Sequence, residues 1–337
     1  MQEGATALYG VGAASSVYGY HEKTSGFSLD KLKKELQQIG CNQQRVRRVF
    51  ETLHYEVKDR VAVITLDRAA TLNAYNTQMM SELVAAFDRS DTDDDVGCVL
   101  LTGAGRAFCS GADLSGGSSS FERLADDPAR AMLRYGDLTR DGGGVGALRI
   151  FDSLKPVIAA VNGPAVGIGA TMLLPADIRL ASSNARFGFV FTKRGIVPEA
   201  ASSWFLPRLV GISRALEWTM AGRFVSAEEA FDAGLVRSVH APDELMDAAM
   251  VLATEIAHSG APVAVSLTRQ MMWRMLGASH PMEAHRADSR AVPILGAAPD
   301  AHEGVRAFLE KRDPNFSGRV SDGLPNIWPY PIGPQFY

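Results

Sequence analysis

The stretch Gly163-Pro164-Ala165-Val166-Gly167-Ile168-Gly169-Ala170-Thr171 decides the fold of this chain. It follows Val157-Ile158-Ala159-Ala160-Val161, a continuous apolar run that is typical of a buried strand, and it leads into an apolar segment with a helical pattern. Glycines at a strand-to-helix turn let the backbone approach a ligand closely, and the first N–H groups of the helix stay unpaired. The stretch therefore predicts a turn that binds an anionic group.

A second turn of the same kind lies upstream. The apolar run at residues 96–102 is followed by Gly105-Arg106-Ala107-Phe108-Cys109-Ser110-Gly111-Ala112-Asp113-Leu114. One glycine turn after a strand commonly reflects turn geometry alone. Two N–H donors from separate turns, however, can converge on one oxygen and stabilise the negative charge that develops on a carbonyl. Together the two turns predict an oxyanion hole for an acyl group.

The size and the charge of the chain restrict its function classes. Its 337 residues, 46% of them apolar, are enough to bury a large core in one large domain or two small ones. The formal net charge of −4 gives no general attraction to nucleic acid or to an anionic membrane, so we expect neither as a partner. A phosphate-bearing ligand would need a local basic patch.

The cysteine pattern predicts a reducing compartment. Cys41, Cys98 and Cys109 have neither metal-ligand spacing nor the even count of a disulfide framework. No stretch approaches the roughly 18 consecutive apolar residues of a membrane span, and the N-terminus lacks the basic-then-apolar layout of a signal peptide. We expect a cytoplasmic protein without a metal site.

Strand and helix patterns alternate through the middle of the chain. Strands are predicted at residues 53–57, 61–66, 98–102 and 157–161, and helices at 77–90 and from about Gly167. This alternation is typical of an α/β fold with a mostly parallel sheet. The predicted parts are an N-terminal extension (1–52), the α/β core (53–208), a helical region (209–316) and an extended C-terminal arm (317–337). Residues 115–146, glycine-rich around a helix-like segment at 127–138, are typical of a binding loop or lid.

Five segments resemble the crotonase (enoyl-CoA hydratase/isomerase) superfamily. They are GRAFCSGADL (105–114), KPVIAAVNGPAVGIGATMLLPADIRLAS (155–182), FGFVFTKRGIVPEAASSWFLPRLVG (187–211), AGRFVSAEEAFDAGLVRSV (221–239) and FLEKRDPNF (308–316). The resemblance covers roughly residues 53–316. It implies the crotonase (ClpP-like) fold, a ββα spiral core with a C-terminal helical region that trimerises, and a homotrimer or homohexamer.

The resemblance also implies an acyl-CoA substrate and no separate cofactor. The backbone N–H groups of Ala112 and Gly169 would hold the thioester oxygen, and we expect Gly169→Val to lower activity with the fold retained. The positions that match CoA contacts are Arg68, Ala70, Ala112, Asp113, Leu114, Phe308 and Lys311, the last two lent by a neighbouring subunit. Ala70 replaces a common lysine, which leaves Arg68 as the available cation. Asp113 fits a cap of the following turn better than a chemical role, and Lys311 fits a solvated residue equally well.

The acid and base positions depart from the hydratase pattern. The two hydratase glutamates are replaced by Thr171, whose hydroxyl is too weak an acid or base near neutral pH, and by Phe191, which has no titratable group. Glu199, in Pro198-Glu199-Ala200-Ala201-Ser202-Ser203-Trp204, matches the catalytic carboxylate of the Δ3,Δ2-enoyl-CoA isomerase branch. One carboxylate beside an apolar acyl pocket, with a pKa raised by desolvation, suffices for an allylic proton shift. A glutamate after proline is also a favoured first-turn helix residue.

Three functions follow from these features. The first is isomerisation of a 3-enoyl-CoA to the 2-enoyl-CoA, with Glu199 moving the proton and Phe191 as an apolar wall of the acyl pocket. The second is hydration of a 2-enoyl-CoA, in which Glu199 orients water unaided. The third is a CoA-binding scaffold without catalysis that acts through residues 1–52 and 317–337.

Overall fold

Eleven strands lie in the part of the chain that the computed structural model describes, residues 49–117, 120, 133–135 and 138–328. In chain order they are β1 (Leu53–Lys58), β2 (Val61–Leu66), β3 (Cys98–Gly103), β4 (Arg134–Tyr135), β5 (Leu138–Thr139), β6 (Val157–Val161), β7 (Ala165–Val166), β8 (Ile178–Ser182), β9 (Arg186–Gly188), β10 (Phe224–Ser226) and β11 (Ser238–His240). Six of them form one sheet in the order β1-β2-β3-β6-β8-β11, and β10-β9-β7 form a second.

The same residues contain eleven α-helices. They are α1 (Thr77–Thr92), α2 (Gly142–Phe151), α3 (Ile168–Thr171), α4 (Ser202–Val210), α5 (Ile212–Ala221), α6 (Ala227–Asp232), α7 (Leu245–Ser259), α8 (Pro262–Met275), α9 (Pro281–Gly296), α10 (Pro299–Glu310) and α11 (Val320–Gly323). Two 3₁₀ turns, Ala69–Thr71 and Thr192–Arg194, lie in the loops after β2 and β9. No single helix described here is both long and apolar enough to cross a membrane, although α7 and α8, which meet at 112°, satisfy both criteria as a pair.

The six-stranded sheet is mostly parallel, as the alternation of patterns predicts. Only β1 and β2 pair in the antiparallel direction, and the other four neighbouring pairs are parallel. Parallel neighbours need crossover connections, which α1 supplies between β2 and β3 and α2 supplies between β3 and β6. The α/β prediction is confirmed.

Both faces of this sheet are covered. Alternate side chains of β2 point to opposite faces, so that Ile64 and Leu66 join the large core that contains α1, whereas Val61 and Val63 pack on α7. Helix α7 presents Leu245, Ala249, Ala253 and Ala257, spaced four residues apart, to that second face. The continuous apolar runs of the sequence are therefore strands buried on two sides.

Some local predictions differ from the structure. The helix expected from about Gly167 is the single turn α3, followed by turns as far as β8. Most of the helix-like segment at 127–138 lies outside the described residues, and its end is a short antiparallel ladder of β4 and β5. The glycines at 142–144, expected in a loop, begin α2 because Asp141 caps their free N–H groups.

The predicted helical region, 209–316, also supplies strands. Strand β11 extends the central sheet parallel to β8, and β10 pairs with β9. The residues from Val49 onward cluster as one unit, without a separation near Arg208. The predicted arm contains the short helix α11 before an extended run at 324–328, and residues 1–48 and 329–337 lie outside the described part.

Candidate active site

The two glycine turns predicted from the sequence are in contact. The carbonyl oxygen of Cys109 accepts the N–H of Val166 at 2.9 Å, and the carbonyl oxygen of Pro164 accepts the N–H groups of Phe108 and Cys109 at 3.1 and 3.2 Å. A Cβ atom added at Gly169 would lie 2.3 Å from the same Cys109 oxygen. The turn after β3 therefore packs directly on the turn between β6 and α3.

Each turn offers a backbone donor. Tyr75 bonds to the residues on either side of Ala112, since its N–H donates to the Gly111 oxygen at 2.8 Å and its oxygen accepts the Asp113 N–H at 2.9 Å. Gly169 is the second residue of α3, where N–H groups have no acceptor within the helix. Within the described part of the chain, the N–H groups of Ala112 and Gly169 donate to no protein atom. Both remain available to a ligand oxygen.

The close packing of the turns changes what we expect of Gly169→Val. The first side-chain atom would meet the Cys109 carbonyl, and backbone atoms cannot rotate away. We therefore expect a lower melting temperature together with lost activity, rather than the retained fold that the sequence alone predicts. Thermal unfolding compared with Gly296→Val, where an added Cβ has open space, measures this effect. An unchanged melting temperature for Gly169→Val would contradict the packing described here.

Glu199 reaches the end of α3. The Thr171 hydroxyl, two residues after Gly169, donates a hydrogen bond of 2.6 Å to Oε1 of Glu199. The other oxygen, Oε2, lies over the first turn of α2, where a Cβ on Gly143 would stand only 1.8 Å away. The same Cβ would lie 2.7 Å from Cδ1 of Ile168, the residue before Gly169. The carboxyl group is thus placed between α2 and the second glycine turn.

The surroundings of Glu199 change its acidity. Burial is the largest cause, and the nearby carboxylate of Asp141 adds to it, so that the pKa of Glu199 is raised to about 8. The hydrogen bond from Thr171 acts in the opposite direction. A carboxyl group with a pKa near neutrality exchanges a proton readily in both directions, which is what an acid/base group needs.

The structure also brings the segment from Arg68 to Ala74, here called the CoA segment because it contains predicted CoA contacts, to the glycine turn after β3. Arg68 forms an ion pair of 2.9 Å with Asp113 and donates a second hydrogen bond to the Ala74 oxygen. Asp113 in turn accepts the Ser115 N–H at 3.1 Å, so the turn-cap interpretation of Asp113 is confirmed. The guanidinium predicted to be an available cation is therefore paired with a carboxylate.

The remaining predicted contacts fall into two groups. Ala70 and Leu114 are exposed near this ion pair, on the 3₁₀ turn and after Asp113, and Phe191 is buried in the main core. Phe308 and Lys311 lie at the end of α10, where 79% of Phe308 is exposed. No hydrogen bond or ion pair joins those two to the glycine turns in the described part of the chain. One copy of the chain thus brings together the predicted positions on the two glycine turns, the Arg68 segment and Glu199, whereas no hydrogen bond or ion pair among the described residues joins Phe191, Phe308 or Lys311 to them.

Sequence reasoning missed Asn73, Asp141 and Gly143. The buried Asn73 amide donates to the backbone oxygens of Ala104 and Ala107, both at 2.9 Å. These bonds connect the CoA segment to the glycine turn after β3. Asp141 before a glycine run is recognisable as a helix cap, which was the available signal. Gly143 gave no signal in the sequence, because its role depends on a residue 56 positions away.

Over the described residues, no group of three or more His, Cys, Asp or Glu side chains is arranged to hold a metal ion.

Comparison with known proteins identifies the family of this chain. A family model described as Enoyl-CoA hydratase/isomerase matches residues 56–319. Enoyl-CoA hydratase ACTT3 of Alternaria alternata is 39% identical over 265 residues, which cover 78% of this chain and 85% of that protein. The 1,2-epoxyphenylacetyl-CoA isomerase of Escherichia coli K12 is 34% identical over 278 residues, or 80% of this chain and 100% of that one.

A solved structure extends the similarity to the fold. A probable enoyl-CoA hydratase/isomerase from Mycobacterium abscessus matches with a TM-score of 0.71 and 35% identity, covering 79% of this chain and 99% of that one. The fold is that of the crotonase class of acyl-CoA enzymes. The chain belongs to the enoyl-CoA hydratase/isomerase family. Enzymes of this family act on CoA thioesters without a further cofactor.

Proposed function

We propose that this enzyme isomerises a 3-enoyl-CoA to the 2-enoyl-CoA, with Glu199 as the only acid/base group. The observation that carries the proposal is the place of the Glu199 carboxyl, between the second glycine turn and α2. The two positions that hold glutamates in hydratases are Thr171, which donates to Glu199, and the buried Phe191. Neither of those two positions carries a carboxyl group, and an allylic shift needs only the carboxyl group of Glu199.

The proposed reaction begins with the thioester oxygen accepting hydrogen bonds from the N–H groups of Ala112 and Gly169. The Glu199 carboxylate removes a proton from C2, and the electron pair moves into the thioester to give an enolate. Two donors fixed in a site that excludes water lower this barrier by about 3 kcal/mol each. The Glu199 carboxylic acid then returns the proton to C4, the double bond moves from C3–C4 to C2–C3, and the carboxylate is regenerated.

The proposal extends to CoA binding and assembly. Arg68 and Asp113 would hold the segment with Ala70 and Leu114 in the shape that receives the nucleotide, since their ion pair joins that segment to the first turn. Phe308 and Lys311 would contact the adenine and phosphate groups of CoA bound to a neighbouring copy, in a homotrimer or homohexamer. The high exposure of Phe308 in the single chain supports this placement.

Hydration of a 2-enoyl-CoA is the second candidate. The observation in its favour is the name of a relative, the enoyl-CoA hydratase ACTT3 of Alternaria alternata, at 39% identity. The missing second carboxyl group at Phe191 argues against it, because water addition must activate water and protonate C2. Because the relatives are named as enzymes, the scaffold without catalysis is not proposed.

The wild-type protein separates the two reactions. It is incubated in deuterated water with a 3-enoyl-CoA and, separately, with the 2-enoyl-CoA of the same length, and the products are identified by mass spectrometry and by the absorbance of the conjugated thioester. We expect the conjugated product from the 3-enoyl substrate, with deuterium exchanged at C2. Rapid formation of 3-hydroxyacyl-CoA from the 2-enoyl substrate, with no conversion of the 3-enoyl isomer, would favour the hydratase instead.

Thr171→Ala tests the hydrogen bond to Glu199. Loss of the hydroxyl removes an interaction that lowers the pKa of Glu199, so this pKa rises further above about 8. Because the carboxylate form removes the C2 proton, the rise of kcat/KM with pH shifts to higher pH, and the plateau falls by roughly tenfold or less. The profile is measured against Thr171→Ser, which keeps the hydroxyl. A shift of the alanine variant to lower pH would contradict the assignment.

A further inference from the structure

Asp141 joins two segments that are 59 residues apart in the sequence. Its Oδ1 accepts the N–H of Gly143 at 2.9 Å, and its Oδ2 accepts the N–H of Gly144 at 2.8 Å, which caps α2. The same Oδ2 accepts the N–H of Ala200, the residue after Glu199, also at 2.8 Å. One carboxylate therefore holds the first turn of α2 and the Glu199 turn together.

The Glu199 turn has an unfavourable backbone conformation. Ala200 and Ala201 both lie in the left-handed region, with φ of 57° and 52°, although each has a Cβ atom. Such a conformation costs free energy and persists only where surrounding contacts enforce it. One such contact is the hydrogen bond from the N–H of Ala200 to Asp141, and Ala200 is also buried. Another is at the start of α4, where the N–H of Ser202 donates to the backbone carbonyl oxygen of Glu199.

The Glu199 side chain returns to the helix that Asp141 caps. Its Oε2 occupies the space where a side chain on Gly143 would begin, so the carboxyl group lies against the backbone of the capped turn. Release of Asp141 would free both the turn that carries Glu199 and the surface on which its carboxyl rests. The position of the reacting oxygen thus depends on a side chain outside the reacting group.

Two titratable groups face Glu199 in the described part of the chain. Cys109 lies on the first glycine turn, and burial raises the pKa of its thiol to about 12, so it stays uncharged in the working range. Asp141 is the other, and its charge and hydrogen bonding both raise the pKa of Glu199. From α3, Thr171 contributes a hydroxyl that does not titrate in this range. Of these groups, Asp141 is the one whose negative charge raises the pKa of Glu199.

We propose that Asp141 is a positioning residue for Glu199, which fixes the strained turn at Ala200–Ala201 and sets a second negative charge beside the reacting carboxyl. This inference rests on the proposed role of Glu199 as the proton carrier. Asp141 acts on the proposed reaction through Glu199, since its carboxylate lies beside the Glu199 carboxyl group and accepts the N–H of Ala200. Its carboxylate determines where the Glu199 proton is held and how readily it leaves.

The test follows the titration of Glu199 directly and in parallel with catalysis. The protein is labelled with ¹³C at the glutamate carboxyl carbons, and the Glu199 signal is assigned as the one missing from Glu199→Gln. Its midpoint is measured in the wild type, Asp141→Asn and Asp141→Ser, since asparagine and serine are good helix caps without charge. Asp94→Asn is the matched control, because Asp94 accepts the N–H groups of Val320 and Ser321, both at 3.1 Å, at the distant C-terminal segment.

We expect both Asp141 variants to lower the Glu199 midpoint by about one pH unit, because a neighbouring like charge is removed. We also expect a plateau kcat about tenfold lower at unchanged KM, because the turn loosens. Asp94→Asn should change neither quantity. A Glu199 midpoint that stays at the wild-type value, or a plateau kcat that does not fall, would overturn the proposal. Failure of the isomerase mechanism is distinguishable, since it appears as full activity in Glu199→Gln whatever the Asp141 variants do.

Discussion

Glu199→Gln is expected to lower kcat for 3-enoyl-CoA isomerisation by about 10²–10⁴, which is the range for loss of a general acid/base group. Glutamine keeps the size of the side chain, and its amide can still meet the Thr171 hydroxyl that now donates to Oε1 at 2.6 Å. It cannot, however, take a proton from C2. Because Ala112, Gly169 and the CoA segment are untouched, the Kd for a 2-enoyl-CoA should stay within about tenfold of the wild type.

The measurements are initial rates from the absorbance of the conjugated thioester and Kd values from calorimetry. Glu56→Gln is a suitable control, because Glu56 is exposed on β1 and the substitution makes the same chemical change. A Glu199→Gln enzyme that keeps most of its activity would show that Glu199 only begins a helical turn. The mechanism proposed for this site would then be wrong.

Gly143→Ala is expected to lower kcat by about 100-fold while leaving the fold intact. The new methyl group would stand 1.8 Å from Oε2 of Glu199 and 2.7 Å from Cδ1 of Ile168. Both atoms are the ends of flexible side chains, so they can rotate away, and alanine is favoured over glycine within a helix by roughly 1 kcal/mol. The Glu199 carboxyl must nevertheless leave its place, and a displacement of about 1 Å costs roughly 10²-fold in rate.

The prediction for Gly143→Ala thus separates activity from stability. The melting temperature should equal or exceed that of the wild type, and acyl-CoA binding should persist, while turnover is lost. Gly296→Ala in α9 makes the same change in a helix where an added Cβ has no neighbour within 4 Å, and it should leave kcat unchanged. Wild-type turnover in Gly143→Ala would mean that the carboxyl reacts from a different position.

The sequence predicted the parts of the site that local patterns encode. Continuous apolar runs give the bounds of β2 and β6 as observed, and glycine spacing marks both turns, since each signal lies within a few neighbouring residues. The link from Thr171 to Glu199 spans 28 residues and that from Ala200 to Asp141 spans 59, and no local rule pairs them. The partner of Arg68 was missed for the same reason, because Asp113 lies 45 residues away.

The backbone conformation of the Glu199 turn could not be predicted from the sequence, because it opposes the local conformational preference of its residues. Ala200 and Ala201 have no preference for the left-handed region, so their positive φ values reflect tertiary contacts that override local propensity. The short length of α3 has a similar origin, since the chain must turn toward β8 after one helical turn. Such conflicts between local preference and observed backbone concentrate at working sites.

The two free N–H groups at the contacting glycine turns belong to the main chain. Substitution of a side chain at the site therefore does not remove them. Side-chain replacement at Thr171, Phe191 or Glu199 adds or removes a carboxyl on three different segments, and the backbone donors of Ala112 and Gly169 remain. In the proposed reaction, the N–H groups that would hold the thioester oxygen are therefore present whichever of these three positions carries a carboxyl group. The same property makes this chain suitable for redesign, because a carboxyl group can be moved among these three side-chain positions without removing those backbone donors.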